Sequence, residues 1–285
     1  MQETKINWTS MTWGPVSGCD EVSAGCKFCY AQTLAENRRG TAAFPNGFDI
    51  TMRPWKLEEQ KRLKTPSLIF GNSTSDWFHK DIPDSYRDSI FDAVERYPQH
   101  RFQVLTKRVE LAEKYAARRR LPRNVWLGVT IEHQLTAARL DVLRRIDVLV
   151  RFVSAEPLLG PLALDLAGIH WVIGGGESGF HLGKEQWLEA RALVRHGDIK
   201  GGEARWVPRE DRASWALRLR DQCVASGVAF WFKQHGGPKP ESGGRLLEGR
   251  TWDDLPVHVI GAMPEGYEHR STMKRVAQVS LPVVD

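Results

Sequence analysis

Three of the four cysteines in this 285-residue chain fall within "SGCDEVSAGCKFCYAQ" (17–32), at Cys19, Cys26 and Cys29, with Phe28 and Tyr30 flanking the last. In a long chain with so little cysteine, such clustering points to metal binding or catalysis rather than to a disulfide framework. Thiolates bind zinc or iron–sulfur clusters. A structural zinc site closes with four ligands, and the first histidine, His79, stands fifty positions beyond Cys29. A cubane cluster on three protein thiolates leaves one iron open to an outside ligand, which can take a cofactor and pass it an electron. Burial of the three merely as small apolar residues fits poorly with Gly18 and Gly25 beside them.

Other chemistry-bearing residues recur at one place in a repeating pattern. Short apolar runs in "SLIFGNSTSDWF", "HRFQVLTKR", "NVWLGVTIE", "VLVRFVSAEPLLGP", "IHWVIGGGESG" and "GVAFWFKQHGG" each turn polar at their carboxyl ends. Those ends carry Asn72, Ser73 and Asp76; Lys107; Glu132; Glu156; Glu177 with Ser178; and Lys233 with Gln234 and His235. Runs of this length, rich in Val, Ile, Phe and Trp, suit strands buried on both faces of a parallel sheet.

Between them lie helical patterns. "DSYRDSIFDAVERYP" places Tyr86, Ile90, Phe91 and Val94 on one face, and Pro98 closes it. "EHQLTAARLDVLRRI" sets Leu135, Leu140, Leu143 and Ile146 at helical spacing, and "REDRASWALRLRDQCVASG" does the same with Trp215, Leu219 and Cys223, ending at Gly227. Cys223 therefore reads as core. Strand, loop and helix in alternation define an α/β fold. Polar groups on so many separate strand ends favour a full or partial TIM-type (β/α) barrel of parallel strands, whose site is built from those ends, over an open doubly wound sheet with one switch point.

The expected organisation is a single barrel domain over 1–285. The polar, Gly-punctuated segment 180–208 reads as an insertion near the site, and the turn-rich stretch 236–285 as a surface extension. No run approaches the roughly 18 apolar residues of a membrane span, and "MQETKINW" lacks a signal-peptide stretch, so a reducing cytoplasm is expected. Net charge is +5 and pI about 9.1, with a basic run "KYAARRRLPR" (114–123) compatible with a polyanionic partner or with a solvated surface.

"TWGPVSGC", "CKFCYA", "MRPWKL", "LTKR", "SAEPLLGP", "GGGESG", "DQCVASGV" and "FKQHGG" together resemble a phage- and prophage-associated, three-cysteine family of the radical S-adenosylmethionine superfamily. The resemblance runs from about Trp8 to Pro256 and is interrupted around 180–204. The commonest cysteine spacing in that superfamily is three residues then two; here the first gap is six.

The resemblance implies that Cys19, Cys26 and Cys29 ligate a [4Fe–4S] cluster whose fourth iron chelates S-adenosylmethionine. One electron, from a donor such as flavodoxin or ferredoxin, would then release a 5′-deoxyadenosyl radical that abstracts a substrate hydrogen. Phe28 and Tyr30 would lie over the adenine or cover the cluster. "GNSTSDWF" lacks the Gly-Gly-Glu-like pattern that holds the cofactor's ammonium in many relatives, so Asn72, Ser73 and Asp76 are cofactor candidates by position, as are Glu132, Glu177 and Ser178. Glu156, Lys107 and Lys233 are the catalytic candidates, and Glu156 would need a cationic partner if buried, from Lys107, Arg108 or Lys233.

The substrate reading is a nucleic acid base, repaired as a DNA photoproduct or modified, with Trp77, Phe78, Trp187 and Trp206 offering rings to stack on it. Two alternatives stand. One is a non-catalytic zinc protein that binds nucleic acid or a partner; the other is a radical enzyme acting on a small deazapurine or a peptide.

Overall fold

In the computed structural model, which describes residues 1–197, 206–239 and 241–269, the chain opens with β1 (Gln2–Glu3), β2 (Met11–Thr12), β3 (Val16–Ser17), α1 (Tyr30–Glu36), β4 (Thr51–Met52), β5 (Leu68–Phe70) and α2 (Asp84–Glu95). It continues through β6 (Arg101–Thr106), α3 (Val109–Arg118), β7 (Val125–Thr130), α4 (Arg139–Arg145), β8 (Val150–Ala155) and β9 (Trp171–Gly175). The last elements are α5 (Glu185–Arg191), β10 (Val194–His196), β11 (Trp206–Pro208), α6 (Glu210–Ala225) and β12 (Ala229–Gln234).

Each apolar run forms a strand of one sheet, ordered β1-β2-β5-β6-β7-β8-β9-β12. Every neighbouring pair from β2 onward is parallel, and β1 adds an antiparallel edge. The sheet curls into a half-barrel, so the partial form of the expected barrel is the one present. β3 and β4 pair apart from it, as do β10 and β11.

Alternation along the strands divides two cores. Ile69, Phe102, Val104, Leu127, Val129, Val172 and Phe230 face the helices, where Ile90, Phe91 and Val94 of α2 and Leu219 and Cys223 of α6 meet them. Phe70, Trp126, Phe152, Trp171, Ile173 and Trp231 turn inward with Trp8. Their rings meet edge to face: Trp126–Trp171 centroids lie 5.8 Å apart and Trp171–Trp231 6.5 Å, near perpendicular. This geometry adds quadrupole attraction to burial.

Several expectations are revised. "EHQLTAARLDVLRRI" is not one helix: a 3-10 turn at Gln134–Thr136 precedes α4, and Leu135 is 90% exposed. The Gln134 amide donates to Ala163 O (3.0 Å) and accepts from Ala163 N (2.8 Å), which tethers this turn and leaves Leu135 facing out. Trp77 and Phe78 are fully buried against Trp13 and Phe91, so neither ring is available for base stacking.

The three consecutive arginines of the basic run are held in ion pairs. Arg118 meets Asp84 and Asp88, Arg119 meets Asp88 and Asp92, and Arg120 meets Asp147. Because α3 returns from the end of β6 to the start of β7, these arginines lie away from the polar strand ends.

The described part of the 180–208 segment forms a 3-10 turn at Phe180–Gly183, α5 and the β10–β11 hairpin; 198–205 lie outside the described residues. The described part of the 236–285 stretch is turn-rich but not merely superficial. Ala262 is fully buried, and Leu255, Val259, Met263 and Tyr267 pack on the inner aromatic core. Arg101 donates to the carbonyls of Gly261, Ala262 and Met263, and Trp171 Nε1 to Asp254 O (2.9 Å). Residues 270–285 lie outside the described residues. No described helix is long and apolar enough to cross a membrane.

Trp171→Ala should destabilise the fold by about 3–5 kcal/mol by emptying the centre of the inner core. Leu135→Ala should stay within about 0.5 kcal/mol in the same urea titrations.

Candidate active site

The three-cysteine segment leaves β3 through Gly18, whose φ of +94° and neighbouring backbone require glycine: an added Cβ would lie 2.4 Å from Asp49 O. Gly18 N–H donates to Thr74 O (2.9 Å) and Cys19 N–H to Phe48 O (3.2 Å). The chain then crosses the carboxyl edge of the sheet. Ser23 donates its hydroxyl to Glu132, Gly25 N–H reaches Glu132 Oε1 (3.3 Å), and Arg191 Nη2 donates to Ala24 O (3.0 Å). Cys29 N–H closes a turn on Cys26 O (3.1 Å), and α1 starts at the next residue. All three thiols are half-buried, and Cys19 and Cys29 pack on the small cluster of Ala31, Ala35, Phe44 and Phe48.

Around Cys19 the charges are dense. Arg108, 8% exposed, places Nη1 3.3 Å from Cys19 Sγ and 3.2 Å from Asp76 Oδ2, while Nη2 donates to Asp20 O (3.1 Å) and to the Asp20 carboxylate. His79 Nε2 lies 3.0 Å from Asp20 Oδ1. Burial pushes the Cys19 thiol up to about 11, against the pull of Arg108. At Asp20 burial opposes ionisation, but Arg108 and His79 outweigh it and hold the carboxyl below its usual range.

Some residues expected to bind a cofactor are occupied within the protein. The Asn72 amide donates to Leu105 O (2.5 Å) and accepts from Leu105 N (3.1 Å). Asp76 accepts from Thr106 Oγ1 (2.9 Å), Lys107 N (3.1 Å) and Phe78 N (3.0 Å) besides Arg108. Ser73 contributes its carbonyl, which takes the Tyr30 hydroxyl (2.6 Å); the Tyr30 side chain is otherwise 58% exposed.

Glu177 is buried in a two-pronged pair with Arg191 (2.5 and 2.7 Å), with His181 Nε2 3.3 Å away. Ser178 Oγ accepts from Gln234 Nε2 (3.3 Å). Phe28 stacks on His181, centroids 3.9 Å apart and nearly parallel, with Trp187 4.9 Å away and the Arg191 guanidinium over its ring. Gln234 and His235 hold the following loop, through Glu241 N (2.8 Å) and Leu246 O (2.9 Å).

Glu132, without solvent exposure, is held by Arg139 (3.0 Å), Ser23 and Gly25. Burial opposes its ionisation, but Ser23, Lys107 and Arg139 together keep its carboxyl below the usual range. Glu156 pairs with Lys233, Oε1 to Nζ 3.2 Å, so Lys233 is the partner its burial called for. Gly175 makes room for it, since a Cβ there would lie 2.5 Å from Glu156 Oε1. Among the described residues no carboxylate lies within ion-pair distance of the Lys107 amine.

Among the described residues no three His, Cys, Asp or Glu side chains converge as a preassembled metal site. The donor set nevertheless suits an iron–sulfur cluster: three soft thiols on one anchored segment, with a guanidinium N–H on the first sulfur. It suits zinc less. His79 lies beside Asp20, its Nε2 3.0 Å from Asp20 Oδ1 and its Nδ1 accepting from Asp81 N (3.2 Å), and among the described residues no histidine or carboxylate joins the cysteines in a group that could hold a metal ion.

Sequence reasoning gave no site role to Ser23, His79, Arg139, His181 or Arg191. Ser23, His79 and Arg191 act through pairs far apart in the chain, such as Arg191 with Ala24, so local spacing carries no trace of them, whereas His181 and Arg139 stand only four and seven residues from Glu177 and Glu132.

A point mutant of spore photoproduct lyase has a similar fold, with a TM-score of 0.53 at 13% sequence identity over 81% of this chain and 78% of that one. The same lyase complexed with dinucleoside spore photoproduct gives 0.46 at 13% over 76% and 75%, and a double mutant with bound AdoMet and that dinucleoside gives 0.46 at 12% over 78% and 75%. No curated protein matches the sequence. The chain belongs to the family described as "Protein of unknown function (DUF5131)", which matches residues 3–193 and 187–256.

Arg191→Ala leaves Glu177 buried without its cation and should cost about 3–5 kcal/mol, much of it restored by adding Glu177→Gln. Glu132→Gln should cost about 1–3 kcal/mol at pH 7. Because the folded carboxyl titrates below its unfolded value, the wild-type advantage is complete above the unfolded pKa of about 4.3 and is lost as pH falls through the folded value. Urea unfolding at both pH extremes checks the convergence.

Proposed function

We propose that this protein is a radical S-adenosylmethionine enzyme in which Cys19, Cys26 and Cys29 hold a [4Fe–4S] cluster. The observation that carries the reading is the three-thiol segment fastened across the carboxyl edge of a parallel half-barrel by Glu132, Arg191 and Arg108, with no fourth protein ligand among the described residues. The fold likeness to spore photoproduct lyase is in line with it. When bound, the cluster and S-adenosylmethionine would supply a one-electron C–S cleavage and a carbon radical for hydrogen abstraction.

The chain's own residues would orient the reactants and exclude water. Phe28 is committed to His181, so it covers the loop rather than an adenine. Tyr30, on the first turn of α1, keeps an exposed ring face while its hydroxyl is fixed to Ser73 O, which suits stacking on a ligand's base. Glu156 and Lys233 offer an acceptor and a donor side by side at the half-barrel's mouth, where they would position the substrate. The free Lys107 amine adds a cation beside Glu132.

The substrate reading is a nucleic acid base. Its support is the exposed ring of Tyr30 directly after Cys29 and the exposed Phe180 (83%) directly before His181, with the Lys27 amine over the Trp187 ring; the basic run around Arg118 plays no part.

Anaerobic reconstitution should load about four irons per chain, and each of Cys19→Ala, Cys26→Ala and Cys29→Ala should abolish it. Reduced protein with S-adenosylmethionine should form 5′-deoxyadenosine. Zinc without iron, or no 5′-deoxyadenosine under any reducing condition, would sink the reading. Glu156→Gln and Lys233→Met should keep cofactor cleavage but lower substrate turnover about 100-fold on single-stranded DNA carrying a photoproduct. Turnover of a deazapurine or a peptide, with salt-insensitive DNA binding, would replace the nucleic acid substrate.

A further inference from the structure

Arg108 sits where a strut and an electrostatic element are hard to tell apart, and its contacts separate them. Three of its partners have other contacts: the Cys19 backbone N–H donates to Phe48 O, the Asp20 carboxylate lies 3.0 Å from His79 Nε2, and Asp76 accepts from Thr106, Phe78 N and Lys107 N. Thr106 and Asp76 therefore already tie the end of β6 to the loop after β5 without it. What Arg108 alone contributes is a buried cation whose planar fork reaches sulfur and two carboxylates at once.

We propose that Arg108 is a positioning residue for Cys19 that also holds the reduction potential of the cluster up, an inference that rests on the cluster reading above. Reduction adds an electron to the cluster. A hydrogen bond to a ligating sulfur and a nearby positive charge both favour the reduced form; Arg108 and Asp76 are buried and act with little screening, while the half-exposed Asp20 carboxylate acts more weakly. Asp20 and Asp76 oppose it, and Arg108 offsets them. Removing Arg108 takes away the sulfur's donor and exposes both carboxylate charges to the cluster, so the two effects share one sign. Removing the Asp20 carboxylate leaves Arg108 less neutralised and acts in the other direction.

The test is a mediator titration of the reconstituted full-length protein without S-adenosylmethionine, followed by electron paramagnetic resonance, at matched iron content. Arg108→Gln should move the midpoint to more negative potential, Arg108→Lys should move it the same way by less, and Asp20→Asn should move it up. A loop strut alone would change iron retention or melting temperature and leave the midpoint in place. An unchanged midpoint in Arg108→Gln with iron retained overturns the inference. If that variant fails to fold or load, Asp20→Asn decides: an unchanged or lowered midpoint overturns it, and a raised one supports it. Wild-type protein that takes up no iron overturns the cluster reading instead, and this inference with it.

Discussion

Buried charge at the carboxyl edge of the sheet is the constraint on which the site depends. Asp76, Arg108, Glu132, Glu177 and Arg191 are all nearly removed from water, and an unpaired ion there would cost several kcal/mol. Each finds an opposite charge, but the pairs leave donors and acceptors over. The cysteine segment fills these: Ser23 and Gly25 take the remaining Glu132 oxygen, Ala24 O takes an Arg191 N–H, and Cys19 and Asp20 take Arg108. The loop is thus seated by the unfinished hydrogen bonding of strand-end ions. That is a way to fix three thiols on a segment with little regular structure of its own.

Beneath this polar edge the inner face is aromatic. Trp8, Trp126, Trp171, Trp231 and Phe152 fill the half-barrel, and the segment around Ala262 closes it, where a full barrel would need further strands. The rigid floor fixes where β8, β9 and β12 end, and so where Glu156, Gly175 and Lys233 meet. The helix-side insertion adds a second layer, since His181, Trp187 and Arg191 all bear on Phe28, one residue before Cys29. The insertion and the cysteine segment are therefore coupled through one ring.

Much of this was legible in the sequence because it rests on local pattern. Strands β5 to β9 and β12 are continuous apolar runs, and α2 and α6 carry their stripes openly, so the parallel α/β sheet and the core position of Cys223 follow from periodicity. Leu135 misled because helical spacing cannot register the Gln134–Ala163 tether, and Trp77 and Phe78 misled because loop aromatics look alike whether they face water or core. Asn72, Asp76 and Glu177 were visible as polar strand ends, but their partners, Leu105, Arg108 and Arg191, lie on other elements. Charge placement is legible in sequence; charge pairing is a property of the fold.

The central claim is an iron–sulfur cluster on three thiols with one iron left for an outside ligand. Electron paramagnetic resonance of the reduced, reconstituted protein with and without S-adenosylmethionine tests it most directly. The account predicts a [4Fe–4S]⁺ signal whose g values shift when the cofactor is added, because the cofactor coordinates the open iron. A signal unmoved by saturating S-adenosylmethionine, or a protein that binds zinc and shows no signal at all, would contradict it.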